Sequence, residues 1–326
     1  MKSDVISRTF HGKLAAVAMF ALAAFYIVAS GSLDSPLPSQ GDQGIGLQSP
    51  SYWPLSRWAS LGISVGFNLL IMLLMLLINK TYNVLRAVTW LPIGLFAIMQ
   101  GAIPRQVLTL NSGSFVCLVI VLCLFMMFST YDSQSSVRTV FMTFLLLSVA
   151  SATQYCFIFF IPVFWIICLQ MRVLTLRGFV GSVLGILTVW INLLGFGIVD
   201  PAGIRFPTIG NIFSSLDLRT ALYLVTLTGL TVLMLMTSIL ANVMKTIAYN
   251  ARARAYNGAL LIVSLTAIIA MVFDYDNCLA YVPLLNFSAS YQITHYFVNH
   301  RYERQYIAVL AVVGVYIALY LWRLSL

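Results

Sequence analysis

The chain has very little charge. Only 8% of its 326 residues are Asp, Glu, Lys or Arg, while 61% are hydrophobic. A soluble domain has roughly a quarter and a half, respectively. No acidic residue, basic residue or histidine lies near the middle of a long apolar run. This absence argues against a proton- or ion-coupled transporter, which places titratable groups deep in the membrane. A transporter of an uncharged solute is not excluded.

Metal-binding and redox motifs are also missing. The three histidines fall in predicted loops, and His295 and His300 have poor spacing for two ligands on one helix face. The cysteines form no C-x-x-C pair and are expected to be small buried hydrophobic residues. Membrane haem with paired axial histidines is excluded. The sequence therefore predicts no metal site and no cofactor.

What the chain does contain is a series of apolar runs near the ~20 residues that cross ~30 Å of hydrocarbon. The runs are apolar on all sides, which favours membrane helices over a β-barrel. We predict an all-α, multi-pass transmembrane helical bundle. It forms a single integral-membrane domain, 1–326, because no segment between spans is long enough for a soluble core. The ten predicted spans are 14–30, 59–78, 84–102, 114–128, 139–150, 155–169, 179–199, 220–244, 258–273 and 306–322.

The basic residues predict the direction of the spans. With a cytoplasmic N-terminus, twelve of the 18 Lys and Arg residues fall in inner segments, and seven of the nine acidic residues fall outside. Ten spans leave both termini cytoplasmic, with outer loops at 31–58, 200–219 and 274–305. The cations are too dispersed for a nucleic-acid surface. The expected partners are membrane lipids, with other envelope proteins as a further option.

The number of spans depends on the apolar stretch 139–169. As one helix it would be about 45 Å long, too long for an ordinary bilayer. One helix would also reverse every later span and weaken the asymmetry of the basic residues. A break at 151–154 avoids both problems. We therefore predict two paired short spans, 139–150 and 155–169.

Amides and glycines within the spans have two interpretations each. An amide in hydrocarbon needs a partner, so it either ties helices together or binds a polar substrate headgroup. Glycines four residues apart allow close helix contact, either inside the bundle or at a dimer seam. The amides are Asn68, Asn192 and Asn242, and the glycine pairs are Gly62 with Gly66 and Gly181 with Gly185.

Charged residues in the outer loops form the best candidate binding site. Together they would make a mixed-charge patch, in which arginine holds a phosphate and a carboxylate or histidine moves protons. The alternative is interfacial solvation with Arg–Asp pairs. Aromatic residues over 281–306 suggest a belt and a helix lying in the interface. The candidate substrate-binding residues are Arg205, Arg219, Asp274, Asp276, His295 and Arg301.

The segment 137–199 contains, in order, a helix, a small-residue break, an aromatic helix with a proline, a basic turn and a glycine-containing helix. In this pattern it resembles a family of uncharacterised polytopic bacterial inner-membrane proteins, sometimes mislabelled as carotene oxygenases. The resemblance implies a multi-pass protein of the inner (cytoplasmic) membrane. The oxygenase label would require an iron site with several histidines, which the spans do not supply.

The same segment is more distantly similar to integral-membrane glycosyltransferases that use polyprenyl-phosphate sugars. Those enzymes carry an essential acid in the first outer loop, so the resemblance makes Asp34 or Asp42 a candidate general base. It also makes Arg205 or Arg219 a candidate for binding the lipid phosphate. The loop departs from that family because it has no adjacent acid pair and has the composition of a spacer.

Three functions remain open from the sequence. The first is a structural or accessory component of envelope biogenesis, with no known biochemical activity. The second is a lipid-linked glycosyltransferase or polymerase with an outward-facing active site. The third is a transporter of a lipid or other uncharged solute. No motif decides whether the chain is an enzyme.

Overall fold

The computed structural model describes residues 12–30, 44–133, 136–199, 218–274, 277–299 and 305–325. This part of the chain is all-α and contains no β-strand. A short 3₁₀ turn, Pro50–Tyr52, precedes the second helix. The helices are α1 (Lys13–Ser30), α2 (Arg57–Tyr82), α3 (Leu91–Gly101), α4 (Pro104–Leu108), α5 (Ser112–Phe128), α6 (Val137–Thr153), α7 (Phe157–Gln170), α8 (Leu176–Gly195), α9 (Leu218–Thr246), α10 (Ala251–Phe273), α11 (Cys278–Asn299) and α12 (Gln305–Ser325).

Ten of these helices overlap the ten predicted spans. Six of them, α1, α2, α8, α9, α10 and α12, are long and apolar enough to cross a membrane. Four more, α3, α5, α6 and α7, are apolar but shorter. The largest differences from the prediction are at two helix starts. Helix α3 begins late, at Leu91, because Pro92 favours the first turn of a helix, and α10 begins early because Asn250 caps it through Ala253 N.

The apolar stretch 139–169 is divided into two helices, and the division lies at 154–156, whereas the sequence predicted a break at 151–154. Helix α6 ends at Thr153 and α7 begins at Phe157. Between them Gln154 has an extended backbone, with φ −149° and ψ 113°, so the helix cannot continue through it. Two short helices are therefore present, with the connection slightly later in the chain than predicted. That each of them spans a membrane stays a prediction.

The predicted outer loop 274–305 is wrong over most of its length. Cys278–Asn299 forms α11, a helix of 22 residues. This helix lies in the bundle interior, where it packs on α9, α5, α10 and α3, and not in the interface. Its tyrosines Tyr281 and Tyr291 are buried, so they do not form an aromatic belt. The segment lacked a continuous apolar run because polar residues occupy alternate positions from Asn286 onward.

Helix α11 crosses the bundle from one end to the other. We call the end where α1 begins the inner end, and the opposite end the outer end. Near the outer end, Gln106 Nε2 donates to Leu279 O at 2.8 Å. Toward the inner end, Tyr291 OH donates to Met75 O, close to the end of α2, at 2.7 Å. The helix thus joins the two ends.

The first and last helices run in the same direction. At the inner end the Lys13 ammonium lies 5.3 Å from the Trp90 ring centroid. Toward the outer end Tyr26 stacks on Tyr320 with centroids 3.9 Å apart. Both α1 and α12 therefore finish at the outer end. This direction of packing differs from the predicted ten-span arrangement with both termini on one side, because α11 was not among the predicted spans.

The two glycine pairs have different surroundings. A Cβ on Gly185 would lie 2.6 Å from Phe141 O of α6, and one on Gly181 would lie 3.1 Å from a Val137 side-chain atom. This pair therefore serves close packing inside the bundle. At Gly62 and Gly66 a Cβ would meet no atom within 4 Å among the described residues. That face of α2 is open.

Candidate functional site

Asp274 holds two chain segments together at the outer end. Tyr155 OH donates to its Oδ1 at 2.5 Å, and Tyr281 OH donates to its Oδ2 at 2.8 Å. Tyr155 belongs to the α6–α7 connection and Tyr281 to the first turn of α11. Asp274 also precedes the N-terminus of α11, where the helix dipole favours a negative charge. We call these three residues the tyrosine latch.

Further contacts close the outer end around the latch. Asn277 Nδ2 lies 3.0 Å from Cys156 Sγ, and Gln154 Nε2 lies 3.5 Å from the same sulfur. The backbone N–H of Leu47 donates to Ala152 O at 2.9 Å, which adds the segment before α2. Three separate parts of the chain therefore meet over the start of α11.

Uncharged polar side chains run along α11. Asn286 Nδ2 donates to Gln100 Oε1 of α3 at 3.0 Å. Farther along, Asn242 Nδ2 of α9 donates to Gln292 O at 2.8 Å. A buried amide is favourable only where it finds such partners. The buried polar residues of this central stretch are Asn286, Ser288, Ser290, Gln292 and Thr294.

Some buried polar atoms on or beside α11 have no hydrogen-bond partner among the described residues. In the described part of the chain, the atoms that make no hydrogen bond include Gln106 Oε1, Gln100 Nε2, Ser288 Oγ and Asn242 Oδ1. Leaving such an atom unpaired in a protein interior costs about 1–3 kcal/mol. The four atoms occur from the level of Leu279 to the level of Gln292, about 20 Å along the helix axis. We call these four residues the polar row.

Aromatic and basic side chains meet at the inner end of α11. The His295 ring packs edge-on against Tyr249, with centroids 5.9 Å apart. The Arg86 guanidinium lies 4.5 Å from the centroid of the Tyr249 ring, a cation–π contact. His295 is buried, with 2% of its surface exposed. It therefore lies within the helical interior, not in a loop as predicted.

A groove of about 190 Å³ lies between α9 and α10 near the inner end. Both helices pack more extensively on α11 than on each other, which leaves the space between them. Gln292 makes α11 the third helix that lines the groove. We call this cavity the inner groove. The side that α9 contributes is one helical face, with the spacing i, i+3, i+4, i+7: Ile239, Asn242, Val243 and Thr246.

Helix α10 supplies the facing side of the inner groove. Its lining residues repeat the same spacing, which places them on one helical face. Arg254 lies closest to the inner end and is exposed. Its guanidinium forms no hydrogen bond or ion pair with the described residues. The α10 residues that line the groove are Arg254, Asn257, Gly258 and Leu261.

The structure separates two residues that were predicted to share a site. Tyr281, bonded to Asp274, and His295 are on one helix and about 21 Å apart along its axis. Asp274 and His295 therefore lie at opposite ends, and the predicted patch that combined them is wrong. Arg219 is exposed in the first turn of α9. Five predicted residues lie outside the described part: Asp34, Asp42, Arg205, Asp276 and Arg301.

The predicted amide contacts are partly confirmed. Asn68 Nδ2 lies 3.4 Å from Ser114 Oγ, so it ties α2 to α5, and Asn242 ties α9 to α11. Asn192 is exposed and donates instead to Thr188 O of its own helix at 2.6 Å. Its short amide is satisfied locally, so it needs no second helix.

The sequence analysis did not identify α11 or its partners Gln100 and Gln106. One signal was available. Apart from His295, no ionisable Asp, Glu, Lys, Arg or His occurs over the 22 residues of α11. An uncharged segment of that length can cross a membrane even when its hydropathy is moderate, provided that neighbouring helices satisfy its polar groups.

No protein-family model, curated protein or solved structure matches this chain. The resemblances drawn from the segment 137–199 therefore stay predictions. Among the described residues, no group of three or more His, Cys, Asp or Glu side chains is placed to hold a metal ion.

Proposed function

We propose that the chain is an integral protein of a bacterial cytoplasmic membrane with eleven crossing helices. The ten apolar helices support this arrangement, and so does α11, whose 22 residues reach about 33 Å. With a cytoplasmic N-terminus, the inner end faces the cytoplasm and the C-terminus faces outward. Ten spans with both termini inside is the arrangement that this proposal replaces.

The basic residues support eleven spans over ten. An eleventh span moves Arg301 and Arg304 to the cytoplasmic side and Arg323 to the outer side. Thirteen of the 18 basic residues are then inside and five outside, compared with twelve and six for ten spans. Because cytoplasmic segments carry the excess of Lys and Arg, the eleven-span arrangement agrees better with the positive-inside rule.

Within this topology, we infer that the protein transports a lipid or other uncharged solute. The observation that carries the inference is the polar row, with unpaired polar atoms beside a helix that crosses the whole bundle. Such atoms can bind a passing solute at little desolvation cost, because they have no protein partner to give up. All four side chains of the polar row are neutral, which fits the uncharged hydroxyl and ester groups of a lipid as well as an uncharged solute.

The two ends of the bundle suggest which side admits the solute. The tyrosine latch and the segment before α2 cover the start of α11. At the other end the inner groove reaches Gln292 of α11. This arrangement fits a conformation that is closed on the outside and open to the cytoplasmic leaflet.

Transport can be tested with purified protein in liposomes. Two uncharged or lipid probes are suitable: glycerol, followed by osmotic swelling, and fluorescent phosphatidylglycerol, followed by chemical quenching of the outer leaflet. We expect at least one probe to cross faster than in protein-free liposomes. Gln100→Leu should slow that flux about tenfold, because it removes the amide bonded to Asn286 while keeping the volume.

Leu284→Met on α11 is the matched control, since it exchanges buried apolar groups of similar volume. It should leave the flux unchanged. Flux at the protein-free rate for both probes would contradict transport of these classes. Equal losses in the two variants would mean that general disturbance of α11, not its polar row, limits the flux.

One observation favours a structural or accessory role in envelope biogenesis as the second candidate. Gly62 and Gly66 present an open face on α2, where another helix could approach closely. A disulfide between two copies carrying Gly62→Cys would support this role. The glycosyltransferase alternative stays a prediction, because Asp34 and Asp42 lie outside the described residues.

A further inference from the structure

The inner groove arranges its chemistry in order of depth. Arg254 and Thr246 lie nearest the inner end, and Asn242 and Asn257 follow about one helical turn deeper. The apolar Leu261 lies about 10 Å farther along the helix than Arg254. A ligand that fills the groove therefore meets a cation first, amides next and an apolar wall last.

Asn242 needs a donor from that ligand. Its Nδ2 faces Gln292 O, which can only accept, so the orientation of the amide is fixed by chemistry. Its Oδ1 then has no hydrogen-bond partner among the described residues, although the side chain is only 3% exposed. Asn242 lines the inner groove, and an unpaired carbonyl oxygen in a protein interior calls for a hydroxyl or N–H group.

The groove also opens toward lipid. Val243 of α9 lines it with 38% of its surface exposed, and Ile247, in the turn directly after α9, lines it with 62% exposed. Exposed apolar side chains on a crossing helix face the bilayer. An acyl chain can therefore leave the groove sideways between α9 and α10. The cavity of about 190 Å³ has room for a small headgroup but not for a whole lipid.

We propose that the inner groove binds a lysophospholipid, a phospholipid with a single acyl chain. Its phosphate pairs with Arg254, its free glycerol hydroxyl donates to Asn242 Oδ1, and its chain runs past Leu261 into the bilayer. In a diacyl lipid that hydroxyl is esterified and cannot donate. This inference rests on the proposed function and names the substrate class that enters from the cytoplasmic leaflet.

The test is binding to the purified full-length protein in detergent, measured by thermophoresis. The probe is oleoyl lysophosphatidic acid, compared with dioleoyl phosphatidic acid and glycerol 3-phosphate. We expect saturable binding of the first and at least tenfold weaker binding of the other two. Arg254→Gln and Asn242→Leu should each weaken the first about tenfold. Arg177→Gln, an exposed arginine at the start of α8, should not.

Three results would overturn the proposal. Equal affinity for phosphatidic acid removes the role of the hydroxyl, and equal affinity for glycerol 3-phosphate makes the site one for soluble phosphates. Absence of saturable binding removes the site. If Asn242→Leu does not fold, Val243→Trp, which fills the mouth of the groove, replaces it. Binding without flux keeps this inference and contradicts transport, whereas flux without binding does the reverse.

Discussion

The outer and inner ends of α11 differ in how completely their polar groups are hydrogen-bonded. At the outer end the charged Asp274 has a tyrosine donor on each carboxylate oxygen. At the inner end the neutral Asn242 is buried with one oxygen unpaired. A charge removed from water without partners costs far more than an amide does. The fold therefore pairs the charged group with two donors and leaves the neutral amide with one unpaired oxygen.

The prediction with the largest expected effect is that α11 crosses the membrane, so that its two ends lie on opposite sides. Alkaline phosphatase is active only outside the cytoplasm, whereas green fluorescent protein fluoresces only within it. Fused to the C-terminus of the full chain, the phosphatase should be active and the fluorescent protein dark, because eleven spans place that end outside. The opposite result would show an even number of crossings and remove the distinction between the two ends.

Fusions within the chain sharpen the same test. A phosphatase joined after Asp274 should be active, and one joined after Asn299 should be inactive, since only α11 lies between them. Two active fusions would indicate that Cys278–Asn299 stays on one side. In that case the contacts of Leu279 and Tyr291 could not mark opposite membrane surfaces.

The next effect concerns the stability of the tyrosine latch. Asp274→Asn keeps the size of the side chain but removes the charge that strengthens two hydrogen bonds, so we expect a loss of about 2 kcal/mol in the free energy of unfolding. The midpoint of thermal unfolding in detergent should fall. Asp132→Asn is the control. Asp132 is exposed, and its φ of 55° suits asparagine, so its midpoint should hardly change.

A second variant tests whether the hydrogen bonds of the latch, and not only the space that its side chains fill, stabilise the outer end. Tyr281→Phe removes only the phenol hydroxyl and should cost about 1 kcal/mol, roughly half the effect of the charge. If both Asp274→Asn and Tyr281→Phe leave the midpoint unchanged, the outer end is not held by the carboxylate. The contrast with the inner groove would then have no energetic basis.

Much of this fold could be predicted from the sequence, and the exception is instructive. Continuous apolar runs identified ten helices, and Gln154 lies directly after the helix that ends within the long run. Helix α11 was not predicted as a span because Asn286, Ser288 and Ser290 interrupt its apolar residues. Those side chains are acceptable only where neighbours such as Gln100 meet them, and this partnership is a tertiary property that no local pattern contains.

The candidate site was less predictable for the same reason. Asn242 was identified as an amide within a span, with headgroup binding as one alternative. Its partner Gln292 lies on a helix that the sequence analysis treated as a loop. Arg254 looked like one of several cytoplasmic arginines. The amide, the cation and the apolar wall meet in one groove only because α9 and α10 face each other while both pack on α11.

The smallest expected effect is on stability at the inner end, and it tests the comparison most directly. Asn242→Leu removes the hydrogen bonds to Gln292 O and Gln292 Oε1 but also removes an unpaired oxygen, so the changes should nearly cancel, within about 1 kcal/mol. The unfolding midpoint should therefore stay close to that of the unmodified protein while lysophosphatidic acid binding falls.

Asn68→Leu is the matched control, because Asn68 is also a buried amide with an unpaired Oδ1 but does not line the inner groove. It should leave binding unchanged. If Asn242→Leu instead lowers the midpoint as much as Asp274→Asn does, Asn242 holds α9 to α11 as firmly as the latch holds the outer end. The unpaired oxygen would then be a tolerated cost of packing, and both ends of α11 would serve stability alone.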